Sequence, residues 1–380
     1  MKITRLETIP VCVPLKPGLS TKTAHGEHVD SPYVILRIHT DEGLVGVGEA
    51  TLAPRWSGET SPGAVAVIQG LLSPLLVGEN PLNITAATAR IHGAIRHNPF
   101  TKAAVEMALW DLAGKYYEVP CYQLLGGQTR RELPIKLVIG GFGPEKTVEL
   151  TRKFLGWGAT CLKVKVGLDE AGDLERVRLV RETAGPDIPI GIDANQGWSL
   201  ATAIRMLPRL EEYDLLFAEQ PIAGDTPEDF TTLREHTRLP LMADESLFTI
   251  QDARRLAVEP GVDLLAVYPG KHAGLAPART ICHLAEAAGK LCSIGSNLEL
   301  GVGTAAMLHL ATALPAIVSN LFPGDFIGPF YHVTDLLTEP LSLGPPAAIA
   351  PTGPGLGVSL DEDQLQQYRD ETVTARPLGD

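Results

Sequence analysis

The sequence predicts an α/β protein: a (β/α)8-type barrel with a smaller α+β domain at its N-terminal end. Three observations predict it. The chain has 380 residues, more than one core usually holds, and an α/β barrel of about 250 residues leaves room for a second domain. After Gly127 short apolar runs alternate with amphipathic stretches, the pattern of parallel strands joined by right-handed helical crossovers. Before that point β-rich runs give way to helical spacing, the order of an α+β unit.

The N-terminal runs come first. ITRLETIPVCVPL is followed by a polar stretch, Gly18 to Asp30, which contains His25 and His28. YVILRIHT and LVGVGEA then flank Asp41-Glu42-Gly43, a turn signal between two strands. From Pro62 to Lys115 the apolar residues recur at helical spacing, as in Ala103, Met107, Trp110 and Ala113.

Seven further runs read as barrel strands: IKLVIG, CLKVKVG, IPIGIDAN, LLFAEQP, PLMADES, LLAVYPG and KLCSIGS. A weaker run near AIVSNLF is the candidate eighth strand. An open doubly wound sheet is the alternative, weakened by the lack of a GxGxxG after the first strand. The expected division is a capping domain over 1–125, a barrel over 126–345, and a segment over 346–380 that returns to the capping domain.

Composition narrows the function. A net charge of −13 opposes nucleic-acid binding, which needs clustered Lys and Arg. The five cysteines are scattered and form no CxxC pair, so a disulfide framework and a zinc ribbon are both poor readings. No apolar run reaches the ~18 residues of a membrane span, and the first residues lack the apolar core of a signal peptide. A soluble cytoplasmic protein is expected, acting on a small molecule without nucleic acid or membrane.

The chemistry gathers at strand ends, where barrel enzymes keep reactive side chains. CLKVKVG carries Lys163 and Lys165, IPIGIDAN carries Asp193 and Asn195, LLFAEQP carries Glu219, and PLMADES carries Asp244 and Glu245. Asp193, Glu219 and Asp244 are each about one βα unit apart, so they belong to neighbouring strands and can converge. Three ionised carboxylates in one buried site repel. A hard divalent cation relieves this, and an all-oxygen set suits Mg²⁺, with Mn²⁺ a substitute. A single Asp at a strand end is more simply a helix N-cap; three in succession beside two lysines are not. Lys163 and Lys165 alternate with Val164 and share one side of the strand. A lysine crowded by a second cation can serve as a base, although the pair could instead face a solvated helix layer.

These motifs also carry a resemblance. GLVGVGEA, AAVEMALWDLAGKYYEVPCYQLLGG, KVKVG, GIDANQGWS, AEQP, ADES and PTGPGLGVSLDED together resemble the enolase superfamily, in its mandelate racemase and muconate-lactonizing branch, over nearly the whole chain. The resemblance implies an enolase-like modified TIM barrel. It implies Asp193, Glu219 and Asp244 as Mg²⁺ ligands, Lys165 as the base that removes the proton next to a substrate carboxylate, and Lys163 as a group holding that carboxylate. Asn195 and Glu245 would support the metal shell. His25, Arg55 and Trp56 would belong to loops that close over the barrel mouth and set specificity. A symmetric homo-oligomer is also implied.

One strand end departs from the family. Relatives place lysines there in a Lys-x-x-Lys-x-Gly-Gly pattern, whereas this chain reads Tyr268-Pro269-Gly270-Lys271-His272-Ala273-Gly274. Tyr268 falls at the first lysine position and Lys271 at the second. Loss of the opposite-face base favours β-elimination of water from a small hydroxy acid, such as a sugar acid or hydroxyproline. The alternatives are a racemase or epimerase using Lys165 and Lys271, and a cycloisomerase of a lactone or anhydro sugar acid. A non-catalytic carboxylate binder is a further possibility. On the seventh run Ser296 and Asn297 accompany Glu299, which resembles an acid of muconate-lactonizing relatives. His272 is a weak candidate, and His309, within AAMLHLATALP, reads as a core histidine.

Overall fold

The structure is a computed structural model and describes residues 1–28, 30–224 and 226–373. The side chain of His28 and the last residues of the expected C-terminal segment, 374–380, lie outside the described residues.

β1 (Ile3–Pro14), β4 (Asp30–Thr40) and β5 (Val45–Thr51) form an antiparallel sheet in the order β1-β4-β5. The turn read at Asp41-Glu42-Gly43 joins β4 to β5, with Gly43 at φ 82. Between β1 and β4 the chain makes a small hairpin of β2 (Thr21–Thr23) and β3 (Gly26–His28). Helix α1 (Pro99–Tyr116) lies on this sheet. Its start suits a helix, with Pro99 in the first turn. It is buried on nearly every face, so it shows no polar stripe. The approach is close because β5 carries Gly48: a Cβ there would sit 1.8 Å from the Ala104 carbonyl oxygen.

Seven parallel strands follow: β6 (Leu137–Ile139), β7 (Leu162–Lys165), β8 (Ile190–Asp193), β9 (Ala218–Glu219), β10 (Leu241–Ala243), β11 (Leu264–Val267) and β12 (Leu291–Ile294). They pair in sequence order, each followed by a helix: α2 (Pro144–Gly156), α3 (Glu170–Ala184), α4 (Leu200–Leu210), α5 (Glu228–Arg234), α6 (Ile250–Ala257), α7 (Leu275–Ala287) and α8 (Gly301–Ala313). The apolar strand residues are buried, as expected for a parallel sheet covered by helices.

The expected eighth strand is not formed among the described residues. Ile317 makes one parallel bridge to Cys292, and Gly324 one to Ile135, so this segment touches both edges of the seven-stranded sheet without a ladder. The reason is local. Leu321 and Phe322 both donate to the Val318 carbonyl, at 2.9 Å, which turns the chain, and Pro323 has no N–H to offer a strand. Asp325 resumes contact, donating its N–H to the Ile294 carbonyl at 3.0 Å.

The chain then returns to the first sheet. Cys12 donates to the Tyr368 carbonyl at 2.9 Å, and Leu365 packs with Ile9 and Val11. All five cysteines are unpaired. Among the described residues no helix is long and apolar enough to cross a membrane.

Candidate active site

Strand register brings the acids together. Asp193 at the end of β8 is the register partner of Lys165 on β7 and of Glu219 on β9. Asp244 follows the last residue of β10. These strand ends open on a cavity of about 430 Å³ between the barrel mouth and the first domain. Lys163, Lys165, Asp193, Asn195, Glu219, Asp244, Ser296 and Asn297 line it from the barrel, and His25, Arg55 and Trp56 from above.

Each carboxylate is paired with a lysine. Lys165 Nζ lies 2.5 Å from Asp193 Oδ2 and donates to Asn195 Oδ1 at 2.7 Å. Lys163 Nζ reaches both Glu219 oxygens, at 3.2 and 3.1 Å, and Asp193 Oδ2 at 3.3 Å. Lys271 Nζ donates to Asp244 Oδ1 and, at 2.8 Å, to the Asp244 carbonyl.

Burial and charge set the protonation of these groups. Glu219 is pushed up to about 8 by burial and by the neighbouring Asp193 charge. Asp244 rises to about 6, burial outweighing Lys271. Asp193 is held down at about 2 because Lys165 and Lys163 outweigh its burial. Burial opposes the Lys163 ammonium, but Asp325, Glu219 and Asp193 raise it well above its ordinary value.

Among the described residues no three acidic, histidine or cysteine side chains are drawn together as a closed metal shell; each acid turns to its lysine. The donor chemistry nevertheless fits a hard divalent cation. Three carboxyl groups face one buried cavity, and burial, with the neighbouring carboxylate charges, raises two of them. Beside Asp244, Glu245 Oε2 is buried without a hydrogen-bond partner among the described residues.

The other oxygen of Glu245 gathers the lid. Its Oε1 accepts from Asn195 Nδ2 at 2.9 Å and Trp56 Nε1 at 3.1 Å, with His25 Nε2 at 3.4 Å. Arg55 Nη1 donates to the His25 carbonyl at 3.4 Å. The loops named from sequence are thus tied to the barrel mouth through one carboxylate.

Four sequence candidates stand outside the cavity wall. Glu245 acts from behind it. Glu299 turns inward, accepting from Ser296 Oγ at 2.5 Å and the Asn297 N–H at 3.1 Å, and burial pushes it up to about 7. Lys271 is fully buried, and its ammonium is consumed by Asp244 and the Ala266 carbonyl at 2.9 Å. Tyr268 is buried too. Its ring packs near Trp56 and Phe100, at 6.3 and 6.4 Å, with Lys271 Nζ 4.8 Å over its face. Burial and the Asp244 and Glu299 charges push its phenol well above the usual value, which keeps it neutral. Lys271, offered by the sequence as the opposite-face base of a racemase, thus has three acceptors and no surface on the cavity in this structure. His272 is spent on the Phe248 carbonyl at 3.0 Å. His309 meets the Tyr122 N–H and the Leu356 carbonyl at 3.3 and 3.1 Å, a satisfied core histidine.

Sequence reasoning missed two site residues. Asp325, which lines the cavity, accepts from Lys163 Nζ at 2.6 Å. It stands just beyond the weak eighth run, and its place at a strand-end position was the available signal. Gln220 is fully buried with φ 33, and its Oε1 accepts the Asp244 and Ser246 N–H groups at 2.9 and 3.1 Å. It holds the Asp244 backbone in place.

A mouth of lysine-paired acids, capped by an antiparallel sheet and α1, defines an enolase-type α/β enzyme. The comparisons make this specific: residues 5–126 match the mandelate racemase / muconate lactonizing enzyme N-terminal domain, and residues 146–364 the enolase C-terminal domain-like family, so the chain belongs to the enolase superfamily in that branch. It is 32% identical to an N-succinyl-L-Arg/Lys racemase of Bacillus cereus, over 97% of this chain and 98% of the relative. The crystal structure of that racemase covers 97% of this chain and 98% of its own at a TM-score of 0.93. A chloromuconate cycloisomerase of Cupriavidus pinatubonensis is also 32% identical, over 97% of this chain and 99% of the relative. A Cytophaga hutchinsonii dipeptide epimerase, solved with Mg and D-Ala-L-Val, matches at TM-score 0.92 and 32% identity, covering 97% and 99% of the two chains.

Proposed function

We propose that this enzyme is a metal-dependent isomerase in which Lys165 alone moves the proton next to a substrate carboxylate, as in the closing and opening of a lactone by a cycloisomerase. One observation carries this reading. Lys165 opens on the cavity, whereas Tyr268 and Lys271 lie behind its wall. A reaction that adds and removes its proton on one face needs only one such group; racemisation needs a second on the opposite face. The relatives described above are racemases, epimerases and cycloisomerases, which supports isomerisation over loss of water.

Asp193, Glu219 and Asp244 are the residues that would hold Mg²⁺, or Mn²⁺ in its place. When bound, the cation supplies electrostatic stabilisation of the charge that develops on the carboxylate. The chain's own residues do the rest. Once released from Asp193, Lys165 delivers the α-proton as an ammonium when the lactone closes and, as the amine so formed, takes it back when the lactone opens, while Asn195 Oδ1 keeps its Nζ oriented. Lys163 holds a positive charge beside the carboxylate. His25, Arg55 and Trp56 close the cavity and exclude water.

The second reading is racemisation, favoured by the match to the Bacillus cereus enzyme along almost the full chain. Incubation with Mg²⁺ in D₂O, using lactones, muconates, N-succinyl amino acids and dipeptides, separates the two. Interconversion of a lactone and its open-chain acid, with one deuterium delivered to one face, is expected. Lys165→Ala should lower it roughly 10³-fold, the scale of a lost general base. Inversion of a chiral α-carbon, with solvent deuterium in both enantiomers, would replace the one-base reading with racemisation.

A further inference from the structure

Below the cavity the barrel interior holds a lysine that the reaction does not touch. Lys136 immediately precedes β6 and is 1% exposed. The Phe217 ring lies 5.7 Å from its ammonium. Lys136 donates to the Pro323 carbonyl at 2.6 Å, and its one ion-pair partner among the described residues is Asp325, whose Oδ1 lies 3.3 Å away. Asp325 Oδ2 in turn accepts from Lys163 at 2.6 Å, and Lys163 reaches Glu219 and Asp193. Charges therefore alternate in an unbroken line from the barrel floor to the cavity.

Stability is a poor reason for this line. Removing two charges from water costs more than the pair usually returns, and well-packed apolar side chains are often as good or better. The contact also has an unusual form. Asp325 Oδ1 has no hydrogen bond among the described residues, so Lys136 acts on it by charge from 3.3 Å while donating a hydrogen bond to the Pro323 carbonyl. A side chain that only filled space would not need that charge.

We propose that Lys136 is a positioning residue for the reaction: with its charge, it aims Asp325 at Lys163, and so fixes the Lys163 ammonium between Asp325 and Glu219 at the cavity wall. The inference rests on the isomerase reading only for its kinetic consequence. Without Lys136, Asp325 has a single cation, and that cation is already shared with two further acids. Lys163 is then free to leave Asp325 and follow Glu219 or Asp193, which removes a fixed positive charge from the place where the substrate carboxylate must sit.

The test compares Lys136→Met, of similar length but uncharged, with Lys136→Arg, which keeps the charge. In crystals of Lys136→Met the Lys163–Asp325 contact should be lost, and in Lys136→Arg it should be kept. On the substrate found in the D₂O screen, and well below the melting temperature, which should fall because Asp325 loses one of its cations, Lys136→Met should lower kcat roughly 10- to 100-fold, the range for supporting residues, with KM little changed. Lys136→Arg should restore most of kcat. If the methionine variant does not fold, Lys136→Gln, which still has a donor for Pro323, carries the same expectation. A Lys163–Asp325 contact that persists without the charge, or equal kcat in the Met and Arg variants, overturns the proposal. The crystal readout needs no substrate, so a failed screen counts against the isomerase reading and leaves the positioning role to be decided by the contact.

Discussion

Asp193, Glu219 and Asp244 at the barrel mouth and Glu49 and Glu106 at the seam between the two parts of the chain are all buried carboxylates, yet they are satisfied by opposite means. The mouth uses lysines. The seam uses helix N-termini, where the first N–H groups have no intrahelical partner. Glu49 accepts from the Leu300 and Gly303 N–H groups at 2.7 and 2.8 Å, at the start of α8. Glu106 accepts from Leu275 and Ala276 at 2.7 and 2.9 Å, at the start of α7, and from Trp110 Nε1 at 2.7 Å. Gly274 makes room for this, since a Cβ there would lie 2.4 Å from the Glu106 carboxylate. A backbone N–H cannot swing away, whereas a lysine side chain can. The seam's partners are therefore fixed by the backbone, whereas those of the mouth acids can exchange.

Neutralising the acids themselves should break that comparison most sharply. In the combined variant Asp193→Asn, Glu219→Gln and Asp244→Asn, calorimetric Mg²⁺ binding should vanish, and unfolding without metal should be easier than in the parent, because buried Lys163, Lys165 and Lys271 lose their counter-charges. Mg²⁺ affinity retained by the triple variant would refute the assignment of the mouth acids. The seam should respond through its hydrogen bonds instead of its charges. Glu106→Ala leaves two helix N–H groups and an indole N–H without acceptors, at a cost of about 2–4 kcal/mol in urea unfolding. A loss below ~1 kcal/mol would mean that water replaces the carboxylate.

A smaller effect lies in pH. Burial pushes Glu49 and Glu106 each up to about 7, from an ordinary 4.5. Between those values the folded chain binds more protons than the unfolded one. The contribution of each to stability is thus complete below pH 4.5 and declines as pH rises towards 7, by up to about 1.4 kcal/mol per pH unit. Denaturation curves across that window should show a shallower decline in Glu106→Gln than in the parent, and an unchanged slope would contradict the shift. Smallest is Ala273→Gly. Ala273 sits at φ 63, where an alanine is strained by about 1–2 kcal/mol relative to glycine. The variant should unfold at about 1 kcal/mol higher stability, with the seam at Gly274 and the Lys271 contact unaltered.

The two regions differ in legibility as well. The mouth acids could be read because a parallel strand fixes its side-chain alternation locally and its βα period repeats. Lys163, Lys165, Asp193, Glu219 and Asp244 follow from those two rules. Glu49 and Glu106 could not, since what satisfies them is a backbone some 170 to 250 residues further along the chain. The eighth run failed for a third reason: its apolar composition suits a strand, but a turn at Val318 and Pro323 prevent the ladder.

By itself, then, the sequence determined the α/β alternation, the three acids, the lysine pair and the departure at Tyr268, all of them properties of local spacing. Only the tertiary structure decided that Lys271 and Tyr268 are closed off from the cavity, that Glu245 ties the lid, and that Asp325 and Lys136 stand beneath Lys163. Those outcomes depend on where side chains go after the strand ends, on turned backbone such as Asn195, Gln220 and Ala273 with positive φ, and on partners brought in from distant loops. No local period encodes such contacts.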